Sequence, residues 1–280
     1  VFLPYNDFRA AAIKSIDKAI EIASKSDFIL PDSWLPHEVS IDQDNFVKLA
    51  NSFAARILAY SPRNKAENDN LDWQMIADYA SKGIDFDFAP VADDIIWYSL
   101  YHIYANYDGW GQVDMRVVNM MDPRMPARWP GANGFDVIPE PVASEGDAYD
   151  NRILSDYMFK DNCPFSPDRG YYHFSCYRFA RRDQYLTTWT EPMPDFYLAE
   201  NEMLLAEAYL KLGKLADAAD VINSGTRITR GGLNPVAADA TAIEAAIFHE
   251  RNVELMCSGL GIEFFTLRKA DLHQPGTFLH

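Results

Sequence analysis

Apolar side chains repeat at helical spacing near both ends of the chain, and no other feature restricts its fold as strongly. Residues three and four positions apart share one face of an α-helix, so such a repeat predicts an amphipathic helix. The N-terminal part contains three stripes: Ile13, Ile16, Ile20 and Ala23; Phe46, Leu49, Ala50, Phe53, Ile57 and Tyr60; and Trp73, Ile76, Ala77, Ala80 and Ile84. The second helix is predicted to begin near Asp44, and the third after an N-cap at Asp72.

A second helical unit is predicted in the C-terminal part. The segment from Leu198 to Leu212 is rich in helix formers, and Gly213 supplies a turn. The next apolar face ends before Gly225 and consists of Leu215, Ala218, Ala219 and Ile222. Its small residues allow two antiparallel helices to approach closely, which is typical of a tetratricopeptide-type helix pair. A further helix is predicted from Ile243 to Met256.

The middle of the chain has a different character. From Asp122 to Gly170 there are seven Pro and four Gly in 49 residues, a density that no continuous helix tolerates. Tyr171 to Arg178 has the composition of a strand, and Tyr185 to Trp189 is a weaker strand candidate. A long irregular segment inside a compact domain is usually functional, so we expect a structured insertion on a helical scaffold.

Together these segments predict a mostly α fold of tetratricopeptide-like helix pairs with a loop-rich insertion that contains short strands. The expected layout is one domain over residues 1–280. It consists of an N-terminal helical scaffold (1–121), a loop-rich variable part that binds the ligand (122–190), and a C-terminal helix pair with one further helix (191–280).

The charge balance excludes one large class of partners. The chain has 25 basic and 41 acidic residues and a formal net charge of -16. No run of Lys or Arg offsets this charge, so nucleic-acid binding is not expected. No apolar segment approaches the roughly 20 residues that a membrane-spanning helix needs. The first residues lack the basic start and apolar run of a signal peptide, and we interpret the chain, which begins at Val1, as a fragment or a processed form.

The three cysteines do not form a recognisable framework. Cys163, Cys176 and Cys257 have unrelated spacings, which predict neither a zinc site nor a set of disulfides. Cys163 and Cys176 could pair in an oxidising compartment, but small, reduced, partly buried thiols are the expected state.

A search for catalytic motifs is negative. The segment His249–Val253 begins like the helix of a zinc protease, but Val253 stands where the second His is needed. The chain also lacks a Gly-rich nucleotide loop and a Gly-x-Ser-x-Gly elbow. We therefore expect no catalytic residues, no catalytic metal and no cofactor. The densest acidic cluster is expected to be solvated or to cap helices, with a structural calcium ion as the less favoured alternative; it consists of Asp85, Asp87, Asp93 and Asp94.

Aromatic residues make up 14% of the chain, and their most suggestive segment runs from Trp97 to Trp110. On an α-helix, rings three positions apart turn progressively around the axis, so some must reach the surface. Rings flanked by polar groups suit sugars, whose C–H faces stack while their hydroxyl groups form hydrogen bonds. The candidate ligand-binding residues are Trp97, Tyr98, Tyr101, Asn106, Tyr107, Asp108, Trp110 and Trp129, with Asn106 and Asp108 as the hydroxyl-binding groups. The alternative is core packing by Ile95, Ile96, Tyr101 and Tyr104. We expect the segment to serve both roles, with Tyr107 and Trp110 the more exposed.

Charged residues cluster on the predicted C-terminal helix. Glu250, Arg251 and Glu254 fall within about one turn, and Arg268 and Lys269 follow on the next segment. Two glutamates could bind a metal ion or act as acid and base. We favour instead a network of ion pairs that joins this helix to the following segment.

Several motifs resemble those of the SusD/RagB family, in family order along most of the chain. Tyr197–Ala208 with Gly213, Ala218-Ala219 and Ile222-Asn223 is similar to the family's helix pair. Phe248–Leu255, followed by Gly261 and Phe264–Arg268, is similar to its "hER..EL..EG.RffdLrR" signature. Leu49–Arg56 is similar to its "lAN.l.aR" helix, and Met121–Arg124 to its "DPR" turn.

The resemblance implies tetratricopeptide-like helix pairs that support a variable ligand-binding part. It also implies a non-catalytic, surface-exposed outer-membrane lipoprotein of Bacteroidota that captures oligosaccharides or polysaccharides and delivers them to a SusC-type TonB-dependent transporter. A peptide-binding importer component is the alternative, and a carbohydrate-active hydrolase is less favoured. The family's lipidated N-terminal Cys, first helices and usual C-terminal segment have no counterpart here. We therefore interpret the chain as a fragment, with membrane attachment only through a lipid anchor outside it.

Overall fold

The computed structural model describes residues 2–93, 95, 97–98, 104–107, 112–128, 141, 143–144, 146–160, 175–259 and 261–278. The longer helices are α1 (Tyr5–Ala23), α2 (Gln43–Tyr60), α4 (Trp73–Ala80), α5 (Met115–Met121), α8 (Leu198–Lys211), α9 (Leu215–Ser224), α11 (Ala240–Val253) and α12 (Ile262–Lys269). Short helices are α3 (Lys65–Asp69), α6 (Arg152–Ser155), α7 (Asp183–Thr188) and α10 (Thr226–Thr229). Two antiparallel pairs join β1 (Val91–Ala92) to β4 (Glu191–Pro192) and β2 (Tyr157–Phe159) to β3 (Tyr177–Phe179). This architecture confirms the predicted mostly helical fold with short strands.

Aspartate side chains cap the start of two N-terminal helices, and these helices share one core. The carboxylate of Asp42 accepts a hydrogen bond from the amide of Asn45 at the start of α2, and Asp72 caps α4 in the same way. Helix α1 packs on α2, α2 on α4, and α4 on α8. The apolar stripes predicted from the sequence supply this shared core, which contains Leu49, Tyr60, Trp73, Ile76 and Leu204.

Helix α4 ends at Ala80, four residues before the end of its predicted apolar stripe, because the chain turns there against two other helices. The side chain of Asn201 on α8 donates to the carbonyl of Ala80 and accepts from the hydroxyl of Ser52 on α2. That same hydroxyl oxygen accepts the amide N–H of Ile84. A Cβ atom at Gly83 would lie 2.3 Å from Asn201 Oδ1, so only glycine fits this crossing.

The C-terminal helices form a second core. Helices α8 and α9 are joined by Gly213, which adopts a φ of +73° that glycine accommodates without strain. Helix α11 begins at the N-cap Asp239 and packs on both. Small buried residues line the contact: Ala206, Ala218, Ala219 and Ala246. The helix pair predicted from these residues is confirmed.

One strand prediction is wrong. Tyr185–Trp189 has aromatic and β-branched residues typical of a strand, yet residues Asp183–Thr188 form helix α7. The rings of Tyr185 and Trp189, four positions apart, pack edge to face with centroids 5.9 Å apart, which a helix permits and an extended strand does not. Of the other strand candidate, residues 177–179 form β3, and residues 171–174 lie outside the described part of the chain.

Three Asp-x-Arg turns share one geometry. In each, one carboxylate oxygen accepts from both the backbone amide and Nε of the Arg two positions later, and the other oxygen accepts from Nη2. The pairs are Asp114 with Arg116, Asp122 with Arg124, and Asp150 with Arg152. The planar guanidinium matches the carboxylate as a fork, so each pair fixes a local turn.

Glu250 on α11 and Glu254, the residue that caps its C-terminus, take part in a buried ion-pair network, as predicted, but with different partners. Arg152 lies at its centre, fully buried, and donates to Asp150, Glu250 and Glu254. Arg230 binds Glu254 at 2.6 Å. This network therefore joins α11 to the middle of the chain. The predicted link to the following segment exists only through a shared carboxylate, since Arg251 and Lys269 both pair with Glu207, whereas Arg268 donates to the carbonyls of residues 60 and 62.

Two expectations about the cell environment can be compared with the structure. Among the described residues, no helix combines the length and the apolar character needed to cross a membrane. Cys176 is buried and disulfide-bonded, so the expectation of a reduced thiol is wrong at this position. Spacing alone holds no information about which sulfur atoms the fold brings together. Cys163 lies outside the described residues.

Candidate functional site

The described part of segment 95–107 places a group of large apolar side chains at the surface. Ile95 is 81% exposed, Tyr98 52%, and Tyr104 and Tyr107 47% each, while Trp97 is 38% exposed. The core-packing alternative is therefore wrong for Ile95 and Tyr104. A concentration of exposed rings within thirteen positions of the chain is unlike the scattered single apolar residues of an ordinary surface.

A turn, rather than a continuous helix, presents the start of this segment. The carboxylate of Asp93 accepts from the amides of Ile95 and Trp97 at 3.0 and 2.9 Å, and the amide of Asp93 donates to the carbonyl of Trp97. Side-chain capping of this kind competes with helix formation. Residues 97 and 98 are not helical, and of the described residues in the segment only 104–106 are.

A small buried cluster adjoins this turn through strand β1. The strand ends at Ala92, one residue before Asp93, and pairs with β4; Ala92 is buried together with Tyr185 and Met193, and Trp189 packs against them. The rigid backbone of the strand pair thus fixes where the exposed rings begin.

Asn106 anchors the other end of the segment. Its side chain is buried, and Oδ1 accepts the amide N–H of Arg182 at 3.3 Å. Its carbonyl accepts from Nη1 of Arg178, which also pairs with Asp183. The predicted role of Asn106 in hydroxyl binding is corrected: its amide oxygen accepts from the backbone of Arg182 and does not face solvent. The neighbouring ring of Tyr107 remains exposed.

A cleft lies beside this anchor. It has a volume of about 320 Å³, and its walls include Phe86, Phe88, Pro192, Asp87 and Arg182. Pro192 belongs to β4 and Arg182 binds Asn106 through its backbone, so the cleft adjoins the base of the aromatic segment. The volume falls in the range of about 300–1,000 Å³ typical of small-molecule sites.

His37 also lines the cleft, but its ring is committed to the fold. Nε2 accepts the amide N–H of Ile41 at 3.0 Å, and Nδ1 contacts the carbonyl of Leu35. A ring that accepts at Nε2 and donates at Nδ1 is the neutral tautomer. The polar groups that the cleft offers to a ligand are therefore Asp87, Arg182 and the exposed Glu38.

The carboxylates of the acidic cluster have separate structural partners. Asp85 pairs with Lys48 at 2.8 Å, Asp87 accepts the amide N–H of Leu198 at the start of α8, and Asp93 caps its own turn. The Asp87 contact confirms the predicted helix-capping role for that residue. Asp94 lies outside the described residues. Within the described ranges, no three His, Cys, Asp or Glu side chains are grouped as a metal site would require.

The structure describes only part of the predicted ligand-binding site. Trp97, Tyr98 and Tyr107 lie at the surface, and Tyr101, Asp108, Trp110 and Trp129 lie outside the described residues. Sequence analysis missed the cleft and Arg182. No local signal identifies them, because the residues that form the cleft come from three distant segments of the chain.

These features define a helical scaffold protein with an exposed aromatic surface beside a cleft. No protein-family model matches the chain, and no curated protein matches it. Among solved structures, the chain is similar to the crystal structure of a SusD superfamily protein from Bacteroides vulgatus ATCC 8482, with a TM-score of 0.45 and 16% sequence identity. The match covers 93% of this chain and 56% of the other, so the chain spans just over half the length of that protein.

Proposed function

We propose that this protein is a SusD-like glycan-binding protein that captures oligosaccharides without modifying them. The observation that supports this most directly is the exposed aromatic segment with Trp97, Tyr98 and Tyr107, held beside a cleft that offers Asp87 and Arg182. Rings stack on the apolar faces of sugars, and carboxylate and guanidinium groups bind the hydroxyl groups at their rim. The family motifs in the sequence support the same proposal.

The wider role follows from that resemblance. We propose a surface-exposed outer-membrane lipoprotein that passes its glycan to a SusC-type TonB-dependent transporter. The disulfide of Cys176 is in keeping with this location, because disulfides persist mainly in oxidising compartments. Tyr101, Asp108, Trp110 and Trp129 remain candidate ligand contacts on the strength of the sequence.

Affinity electrophoresis through gels that contain different polysaccharides tests the proposal. The purified chain should be retarded by at least one glycan. Trp97→Ala and Tyr107→Ala should each weaken binding about tenfold, or about 1.4 kcal/mol, because each removes a stacking face. Phe264→Ala is the matched control, since that ring is 56% exposed but lies on α12.

The outcomes separate the alternatives. Equal retardation of all three variants would remove the aromatic segment from the site. Retardation abolished by oligopeptides but not by oligosaccharides would identify a peptide-binding importer component. Release of reducing ends from the retarding glycan would identify a hydrolase and contradict non-catalytic capture.

A further inference from the structure

A second cavity, distinct from the cleft beside the aromatic segment, lies among the C-terminal helices. It has a volume of about 490 Å³ and is bounded by α3, α8, α11, α12 and residues 270–278. Its walls are largely apolar and include Leu210, Ile247, Phe248, Leu272 and Phe278. The rings of Phe248 and Phe278 pack edge to face with centroids 5.0 Å apart.

A buried cluster of charges with an excess of cations lines the same cavity. Nζ of Lys269 and Nη2 of Arg251 both donate to one oxygen, Oε2 of Glu207, at 2.6 and 2.7 Å. All three residues are buried. Among the described residues, Glu207 is the only ion-pair partner of both cations, so the cluster has one more cation than it has paired carboxylates. Burial of excess positive charge is unfavourable unless an anion approaches.

Several polar atoms around this cluster have unused hydrogen-bonding capacity. Within the described part of the chain, Nε of Arg251, Oγ1 of Thr266 and Oδ1 of Asn68 are buried without a hydrogen-bond partner, and all three residues line the cavity. In folded proteins, most buried polar groups are paired. Two of these groups can donate a hydrogen bond, which suits an anionic acceptor.

We propose that this cavity binds a small organic carboxylate with an apolar body. The carboxylate lies against the cationic cluster of Lys269 and Arg251, and the apolar body packs between Phe248 and Leu272. An inorganic anion would satisfy the charge but not the apolar walls, and a neutral alcohol would satisfy the walls but not the charge.

The protonation of Lys269 gives the proposal a specific signature. Burial lowers the pKa of this amine to about 7, and the charge of Arg251 adds to the effect, against the attraction of Glu207. The charged and titratable groups that face the cavity or this amine are Glu207 and Lys211 from α8, Arg251 and Glu244 from α11, Lys65 from α3 and Tyr60 from α2. The pKa of Glu207 is lowered to about 2, because its two cationic partners outweigh the effect of burial, so it stays ionised near neutrality.

A carboxylate ligand should therefore bind with uptake of a proton by Lys269 near pH 7.5. If the ligand binds only the protonated amine, a pKa of about 7 gives a fall in affinity of about tenfold between pH 6 and pH 8. Isothermal titration calorimetry in two buffers of different ionisation enthalpy measures both the affinity and the proton uptake.

The probe is hexanoate, with hexan-1-ol and inorganic phosphate as comparison ligands. Hexanoate should bind and the other two should not. Lys269→Met should abolish hexanoate binding, whereas Lys18→Met, at an exposed position on α1, should leave it unchanged. Ala245→Phe fills the cavity without removing a charge and should also abolish binding, which keeps the test valid if Lys269→Met unfolds.

Three results would overturn the proposal. Equal affinity for hexan-1-ol would indicate an apolar cavity alone, and equal affinity for phosphate would indicate a general anion site. Hexanoate binding that survives Ala245→Phe would place the ligand elsewhere. Because the cavity and the aromatic segment share no residue, loss of glycan binding in Trp97→Ala leaves this test unaffected.

Discussion

Replacement of Arg152 by Met should destabilise the fold more than any substitution of a surface charge. The guanidinium is fully buried and forms five hydrogen bonds to three carboxylates, at 2.6–3.1 Å. A Met side chain fills most of the volume but neutralises none of the negative charge. The substitution therefore tests the electrostatic role of the residue rather than its packing.

The magnitude depends on which carboxylates keep other partners. Glu254 retains Arg230 and Arg181, and Asp150 retains His249. Among the described residues, Glu250 retains only a 3.4 Å contact with the hydroxyl of Thr226 and a 3.8 Å contact with Arg227. Glu250 thus becomes a buried charge with weak compensation, and removal of one partner from a buried pair costs about 3–5 kcal/mol.

Urea denaturation followed by circular dichroism measures this cost. With an m-value of about 3 kcal/mol per molar urea, the transition midpoint should fall by about 1–2 M. Arg63→Met is the matched control, because Arg63 pairs with Glu67 on an exposed surface and its loss should leave the midpoint nearly unchanged. Glu250→Gln added to Arg152→Met should recover at least about 1 kcal/mol, since it removes the orphaned charge. A midpoint for Arg152→Met equal to that of Arg63→Met, or a double variant with no recovery, would refute the reasoning.

Three further predictions concern stability. Burial raises the pKa of Glu202 to about 7, and nearby carboxylates add to the effect. Because the folded state then binds a proton that the unfolded state has released, the free energy of unfolding should fall as the pH rises from about 4.5 to 7. Urea titrations at pH 5 and pH 8 measure this difference, and Glu202→Gln should remove it. Gly83→Ala should lower the stability by about 1–3 kcal/mol, because the new Cβ would clash with the side-chain amide of Asn201, which hydrogen bonds hold in place. An unchanged melting temperature in a thermal melt would contradict this close contact. Asp42→Ala should cost about 1 kcal/mol by chemical denaturation through loss of the α2 cap, and Asp42→Asn should restore most of it.

The helical ends of the fold could be predicted because their information is local. The apolar stripe in α2, the cap of α4 at Asp72 and the turn at Gly213 lie within a few residues of the structure they determine. Helix α7 could not be predicted in the same way. Its composition favours a strand, and the edge-to-face contact of Tyr185 with Trp189 over a buried cluster decides the outcome.

The candidate site shows the same limit more sharply. The richness of segment 97–110 in aromatic residues is visible in the sequence, but exposure is not. Asn106 is a polar residue between rings and appeared suited to a ligand, yet its partners Arg178 and Arg182 are 72 and 76 positions away. Only the fold reveals that Arg182 already occupies the amide oxygen of Asn106 and that Arg178 binds its backbone carbonyl.

One short segment connects the charged network at the end of α11 to the exposed aromatic segment. Arg181 donates to Glu254 in the buried network, and the next residue, Arg182, donates its amide to Asn106 at the base of the aromatic segment. Neither contact involves a group that must face solvent. The network on α11 therefore supports the backbone that presents the exposed rings, and its glutamates need no catalytic role to account for their position. By this reasoning, Glu254→Gln should lower both the affinity for glycan and the free energy of unfolding, because it weakens the buried network that supports the rings. Trp97→Ala should lower the affinity without a change in the free energy of unfolding. Affinity electrophoresis and urea denaturation of both variants measure the two quantities, and an unchanged affinity in Glu254→Gln would contradict the connection.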